Sequence, residues 1–440
     1  MRLNQSFNLN YLGIGLFLFL LASAILVWKM TFIIVCVHGL AVILVILGTW
    51  KVLEWLLHPS YHVLFKRRIP TGVLGLLEVI LGGMIYFGRQ ASPYLLTLLI
   101  GSYQIIIGIV ASVSYFLLWR DRVRNQWSQL LNTCIHLGFG LASLFLSNKV
   151  DHTLIRLAIY LILLALNYIY DGQNISKRYV LNYQKRNIRL PLPLFLTVLM
   201  PYQLMKNVLK LMDHLEDKHS SLKQAVTRIP RDKDLAVNLE VFIHTSPYGF
   251  DRFGHVDVAY QGKVYSYGNH DADARRFFDM VGEGVYLIAD RSAYIKFMTR
   301  RKITIISFGL HLNQAEMEQF QANLDKLNHL IQPFSLSSPN QLSTFVGLLT
   351  QENKVSMYKF TQGQFKTYFV LGTNCVLFVD YLLWTSGMDI MAFAGIMTPG
   401  TYYDYLNKEL HKQESKVISR RIYNQRLIMK EGEDKYEKAF

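Results

Sequence analysis

Cysteine is scarce in this chain: three among 440 residues, at positions 36, 134 and 375. Cys36 and Cys134 fall inside apolar runs, so no disulfide framework is implied and one cysteine is left for the polar part of the chain. No pair of Cys-x-x-Cys spacings marks a zinc finger, and no stacking-aromatic RNA motif accompanies the formal charge of +15. These absences leave no residues that would read nucleic acid, and they imply no cofactor or bound metal. A cleavable leader is also missing from the pattern. The first apolar run is followed by Trp28-Lys29-Met30 and then by another apolar run, which reads as a first membrane helix.

Long hydrophobic runs are plentiful, but only near the start. They cover 11–28, 30–50, 71–88, 94–118, 131–147 and 154–171, each about long enough to cross a bilayer as a helix. The odd-numbered runs begin about 60 residues apart and are glycine-studded, at Gly13 and Gly15, then Gly72, Gly75, Gly82 and Gly83, then Gly138 and Gly140. Within each pair the two runs are joined by a short connector (Lys29, then 89–93, then 148–153), so the pattern predicts six helices in three hairpin repeats. The segments 1–10, 51–69, 119–127 and 172–189 carry thirteen Lys or Arg against three in the connectors. This places the first set in the cytoplasm. The segment 190–205 is apolar with three prolines and basic flanks, and reads as an interfacial helix; were it to span, everything after it would lie outside. Glu78 interrupts the third run, either with a functional role or as a carboxyl bonded between helices.

This part resembles the bacterial acid-resistance membrane proteins of the HdeD type, on the strength of the glycine-studded hairpins over about 1–175. A basic linker follows over 176–234. From 235 to 400 the composition is that of a soluble α+β domain, and 401–440 reads as a charged tail. The stretch 406–440 carries nine Lys or Arg among its acids and is read as a charged helix or disordered tail. Alternation predicts strands at 237–243, 255–260 and 263–267, with a Gln261-Gly262 turn making a hairpin of the last two. Further strands are expected at 302–308 and 368–371, and helices at 271–282 and 313–330.

Two motifs carry chemistry: Phe253-Gly254-His255-Val256, where the histidine opens a strand, and Gly372-Thr373-Asn374-Cys375, where the cysteine opens an apolar helix. A helix start favours a thiolate and presents free backbone amides to an oxyanion. His255 would take the thiol proton and later return it to the leaving group. Asn374 would add a donor or cap the helix. Tyr267, Asn269 and His270 are candidates to orient the imidazole. Asp257 is set below them because it follows His255 on the same strand. Other readings stay open: Cys375 as a small core residue, or a metal group of His255, Asp257, His270, Asp271 and Asp273, whose spacing fits no established metal motif.

The histidine hairpin followed by an Asn-Cys helix start resembles the permuted papain-like enzymes, among them the lecithin:retinol acyltransferase-like proteins. Over 239–385 it is similar to the N-terminal domain of the bacterial lipoprotein N-acyltransferases (Lnb). The matching pieces are Phe253-Gly254-His255, Tyr265-Ser266-Tyr267-Gly268-Asn269, Phe277-Phe278 with Gly282 or Gly284 and Tyr286, and Thr373-Asn374-Cys375. Where the retinol-acyltransferase relatives carry a second histidine, this chain has Tyr267. The resemblance implies a multi-pass protein of the bacterial cytoplasmic membrane with a permuted papain-like domain. It also implies a cysteine-dependent acyltransferase or lipase acting on phospholipid or lipoprotein acyl chains, beside an anionic membrane surface. A wall-peptide peptidase or amidase and an inactive membrane stress or scaffold protein are the other expectations.

Overall fold

The computed structural model describes residues 2–57, 65–88, 92–123, 127–145, 150–174, 226–228, 235–245, 254–383, 399–412 and 415–424. The expected interfacial segment at 190–205 lies outside them. The chain divides into two compact units, one of residues 1–109 with 131–177 and one of residues 110–130 with 178–440.

The first unit is helical. Its described elements are α1 (Arg2–Leu57), α2 (Phe65–Phe87), most of α3 (Ser92–Arg120), α4 (Trp127–Phe145) and α5 (Val150–Asn174). α1 holds the first two apolar runs and breaks between them at Lys29, where φ is 43° and ψ −119°. Glycines let the helix backbones meet. A Cβ on Gly48 would lie 2.6 Å from the Gly75 carbonyl oxygen, and one on Gly82 would lie 2.8 Å from that of Ala41. A Cβ on Gly140 would lie 3.1 Å from the Gly101 oxygen. Glu78 is bonded between helices: its carboxylate pairs with Lys51 of α1.

The second unit is built on an antiparallel sheet of β1 (Val226–Arg228), β2 (Leu239–Thr245), β3 (His255–Tyr260), β4 (Lys263–Gly268), β6 (Val285–Asp290), β7 (Thr304–Leu310), β8 (Ile331–Pro333), β9 (Val355–Phe360) and β11 (Val417–Tyr423). The strand order is β1-β11-β7-β2-β3-β4-β6-β9-β8, and β5 (Val281–Glu283) pairs separately with β10 (Thr367–Phe369). Strand alternation separates two cores. Leu239, Val241, Ile243, Val256, Val258, Tyr265 and Tyr267 point to one face. There they meet α7 (Gln314–Asn328), α10 (Cys375–Leu383) and α11 (Pro399–Leu410). Phe242, Ala259, Val264 and Leu287 point to the other, against α6 (Arg291–Arg300) and α9 (Phe345–Glu352). A single turn, α8 (Pro339–Leu342), precedes α9.

Three expectations change. The stretch expected as a helix over 271–282 holds only a short 3-10 turn at Ala272–Ala274, capped by Asp271. Arg276 then bridges to Val281, so 277–280 close a tight hairpin instead of a helix. Phe277, Phe278 and Asp279 take left-handed φ values of 52°, 56° and 65°, at a cost of about 1 kcal/mol or more each. The expected tail is also structured. α11 crosses its start, and β11 lies inside the sheet between β1 and β7, with Val417 and Ile418 fully buried. The buried pairs Val417-Ile418 and Ile422-Tyr423 frame Ser419-Arg420-Arg421, so the charge count concealed the strand. Finally, β1 draws residues 226–228 of the expected linker into the sheet.

One polar clamp ties β11 to the centre. Arg291 Nε and Nη2 donate to the two carboxylate oxygens of Glu240 at 2.6 and 2.9 Å, and Nη2 also donates to the Tyr423 hydroxyl at 2.9 Å. Ser307 donates to the same carboxylate at 2.7 Å. Because both charges are largely buried, removing one strands the other. Arg291→Ala is expected to destabilise the sheet unit by about 3 kcal/mol, measured as its thermal midpoint in the detergent-solubilised chain. Arg291→Lys should recover only part of this, since an ammonium cannot make the two-pronged contact.

Candidate functional site

The β3–β4 hairpin sets the first half of the site. Gln261 and Gly262 turn with φ of 48° and 72°, as the expected hairpin requires. Before β3, Gly254 has φ 75°, and a Cβ there would lie 2.7 Å from the His244 carbonyl oxygen. Only glycine admits both the left-handed backbone and that close approach. His255 therefore enters as the first residue of β3, at the end of the sheet, with its side chain 26 % exposed.

Two residues on, Asp257 is fully buried, and its carboxylate Oδ1 lies 2.9 Å from His255 Nε2. On a strand, residues i and i+2 share a face, so following His255 on the same strand is what places Asp257 beside it. The carboxylate has further company. His244, paired across from His255 in the β2–β3 register, brings its Nε2 to 2.8 Å from Oδ2. Tyr294 of α6 donates its hydroxyl to Oδ2 at 2.7 Å. Ser266 Oγ lies 3.0 Å from His255 Nε2.

The second half comes from α10. Asn374 caps it: its side-chain oxygen accepts from the Leu377 amide at 3.1 Å, and its amide donates to the Val370 carbonyl at 2.9 Å. Cys375 is the first helical residue and is buried, with 3 % exposure. Its sulfur adjoins His255 and Tyr368 and interacts electrostatically with both. His255 Nε2 faces both Asp257 and Ser266, so Nδ1 is the imidazole nitrogen that neither of them takes. Among the described residues no acceptor takes the amide of Cys375 or Val376, so both point their hydrogens toward any anion formed at the helix start.

The charges interlock. Burial opposes ionisation of His255, yet the Asp257 carboxylate and then Cys375 raise it well above its ordinary 6.5. Burial alone would raise the Asp257 carboxyl, but the His255 charge and the His244 contact hold it well below its ordinary 3.8. His270 is brought to the same place, its ring edge-on to His255 with centroids 5.9 Å apart. Burial and the neighbouring His255 cation lower it to about 3, so it stays neutral.

The other expected residues lie elsewhere. Tyr267 does not orient His255. It points to the opposite face of the sheet, donates to the Phe365 carbonyl at 3.0 Å and stacks on Phe378. Asn269 donates to the Asp279 carbonyl at 3.0 Å and so positions the 277–280 turn. Asn374 is a cap, its side chain engaged along the helix start. Asp271 turns to Lys359 at 2.6 Å and Gln341 at 2.7 Å, away from the histidines. Among the described residues no group of three His, Cys, Asp or Glu converges as a metal site. Asp257, His244, Ser266, Tyr294 and Tyr368 complete the site. Of these, only Asp257 carried a sequence signal, its i+2 spacing from His255. The chain matches no protein-family model, no curated protein and no solved structure.

A raised histidine contributes stability that is full below its unfolded value and is lost as pH rises through the folded one. A lowered carboxyl contributes stability that is full above its unfolded value and is lost as pH falls through the folded one. The pair is therefore complete between about 4 and 6.5 and weakens outside that window, later on each side because both shifts widen it. Asp257→Asn is expected to flatten both limbs of a plot of sheet-unit thermal midpoint against pH. It should also slow alkylation of Cys375 by iodoacetamide at pH 6 by about tenfold or more, while Tyr267→Phe leaves that rate unchanged.

Proposed function

We propose that the chain is a membrane-bound, cysteine-dependent acyltransferase or lipase that forms a thioester on Cys375. The observation that carries this reading is the fully buried Asp257 carboxylate at 2.9 Å from His255, with Cys375 adjoining the same histidine at a helix start. A core cysteine needs no ionised base beside it. A nucleophile needs a base, a group that orients the base and donors for the oxyanion, and each has a named residue here. A buried carboxylate beside the imidazole favours the enzyme reading over that of an inert scaffold.

The steps follow from these atoms. The Cys375 sulfur attacks an acyl ester carbonyl, and the resulting oxyanion is met by the free amides of the helix start. As the C–O bond breaks, His255 gives its proton to the departing alkoxide, leaving the acyl group on sulfur. His255 then takes a proton from an incoming amine, hydroxyl or water, which attacks the thioester and returns the thiolate. Asp257 stays ionised throughout and holds the imidazole in place, as in other cysteine and serine triads.

The fold assigned to this function is a six-helix membrane domain of three hairpins joined to a permuted papain-like domain. Two helical stretches, Leu12–Lys29 and Gly101–Arg120, are long and apolar enough to cross a membrane, and shorter apolar helices cover Ala41–Leu53, Gly72–Phe87, Gln129–Phe145 and Leu154–Leu166. Leu16, Phe17, Leu20 and Val27 of α1 and Leu74, Leu76, Leu77 and Leu81 of α2 are exposed. So many outward-facing apolar side chains suit lipid as their solvent. The basic bias of alternate segments puts the sheet unit on the cytoplasmic side of a bacterial membrane, or outside should 190–205 span. A thiol site tethered to a bilayer meets acyl esters at high local concentration, so phospholipid or lipoprotein acyl chains are its substrates.

Intact-mass measurement of the protein purified from membranes is expected to show an acyl adduct on Cys375 that is released by hydroxylamine. Cys375→Ala should lack it and lose acyl transfer while still inserting. His255→Ala should lower turnover by about two to four orders of magnitude. Full activity of Cys375→Ala would sink the reading.

A further inference from the structure

The hairpin between Arg276 and Val281 is the feature that the catalytic steps leave unused. Its backbone is fixed by paired bonds, Arg276 N–H to the Val281 carbonyl at 2.7 Å and Val281 N–H to the Arg276 carbonyl at 3.2 Å. Between them Phe277, Phe278 and Asp279 are consecutive non-glycine residues in the left-handed region. Such a conformation is disfavoured and persists only where its surroundings hold it. The result turns two aromatic rings outward: Phe277 is 73 % exposed and Phe278 100 %. Met280 and Val370 extend the apolar patch, joined by a Val370 N–H to Met280 carbonyl bond of 3.0 Å.

This tip stands at the candidate site. Its stem is β5, which pairs with β10 in the register Phe369 to Val281 and Tyr368 to Gly282. Burial and the neighbouring Cys375 both raise the Tyr368 phenol, and Val370 accepts from the Asn374 amide that caps the Cys375 helix. Asn269, the neighbour of His270, holds the tip through the Asp279 carbonyl. The charges around it are mixed but ordered. Asp279 is answered by Arg275 at 3.7 Å, whereas Arg276 meets no carboxylate among the described residues.

We propose that the 277–280 turn is a wedge that enters a phospholipid bilayer, with Phe277 and Phe278 among the acyl chains and Arg276 at the headgroup phosphates. Exposed aromatic rings beside a guanidinium that bonds backbone carbonyls of Asp273 and Arg275 but no carboxylate among the described residues match the layering of a membrane interface, apolar inside and anionic at the rim. The proposal deepens the acyl-transfer reading and rests on it for its purpose: the wedge seats the entrance to Cys375 in the layer that holds the acyl ester. Strain held in the backbone keeps the rings outward, where collapse onto the domain would otherwise hide them.

The test uses the full chain in nanodiscs of phosphatidylglycerol and phosphatidylcholine, with Cys36, Cys134 and Cys375 each replaced by alanine. A single cysteine introduced by Phe278→Cys carries an environment-sensitive fluorophore, and Lys326→Cys on the exposed side of α7 is the control. Since Phe278 makes no buried contact, its replacement leaves the fold intact, and circular dichroism checks this. Lipids bearing a nitroxide on the acyl chain are expected to cut the emission at 278 roughly twofold and leave that at 326 unchanged. Emission at 278 that matches 326 and is insensitive to the nitroxide would overturn the wedge. So would a shift that requires an added protein, which would make the tip a protein-docking site. Because the labelled chain lacks the nucleophile, this result is independent of thiol chemistry. Quenching at 278 without any acyl adduct on wild-type Cys375 would keep the wedge and remove the acyl-transfer reading; an adduct without quenching would do the reverse.

Discussion

A carboxylate with no access to water is the constraint around which the sheet unit is arranged. Ionised Asp257 is costly to bury unless its oxygens are answered. Here Oδ1 faces His255, while Oδ2 faces His244 and the Tyr294 hydroxyl. Each neighbour is fixed in turn by what it gives. His255 keeps its proton beside the carboxylate and Cys375. Tyr294 stays a neutral donor, since burial and the adjacent carboxylate both raise its phenol. His270 cannot also become cationic beside His255, so it remains neutral and leaves a single positive charge next to the thiol. Three protonation states are thus settled around one negative charge.

The sheet makes this possible by keeping two chemistries on separate faces. Cys375 belongs to the apolar cluster with Val376, Phe378 and the tyrosines of β4 and β6. Asp257 and Tyr294 belong to the face covered by α6 and α9. His255 is at the first position of β3, where the sheet ends and a ring can touch both sides. A residue deeper in the strand would be held to one face by the pleat. Gly254 is required for the same reason, since the chain must turn in against the His244 carbonyl immediately before the histidine. Side chains carried by strands and a capped helix start are positioned more firmly than those on free loops.

The residues that were legible were those with a local signature. A glycine-histidine strand entry and an Asn-Cys helix start are read from adjacent letters, and the 313–330 helix carries its capping box of Asn313 and Glu316 in plain view. Asp257 was equally legible by the period of a strand, and was discounted by treating sequence proximity as an obstacle when a spacing of two places side chains together. His244 was not legible, because its role depends on the β2–β3 register, a non-local pairing. The tail concealed β11 because a nine-cation count outweighed four apolar residues. The turn at 277–280 was hidden because Ala, Arg and Met favour helix, while the cross-strand pair Arg276–Val281 and the partner strand β10 decide otherwise. In each case tertiary pairing overrode a local preference.

The helical unit uses its polar residues differently. Glu78 stands in an apolar run, where a lone charge would mark an ion path or a proton relay. Its partner is Lys51, near the end of α1, and the two helices that carry the pair are also brought together by Gly48, Gly75 and Gly82. A neutralised pair between closely packed backbones fixes the register of one helix on another, and it offers no stepping stone for a moving charge. Packing of this kind suits two helices held in one fixed register. The reactive groups and the strained backbone described here instead concentrate where His255, Cys375 and the Phe277-Phe278 turn meet.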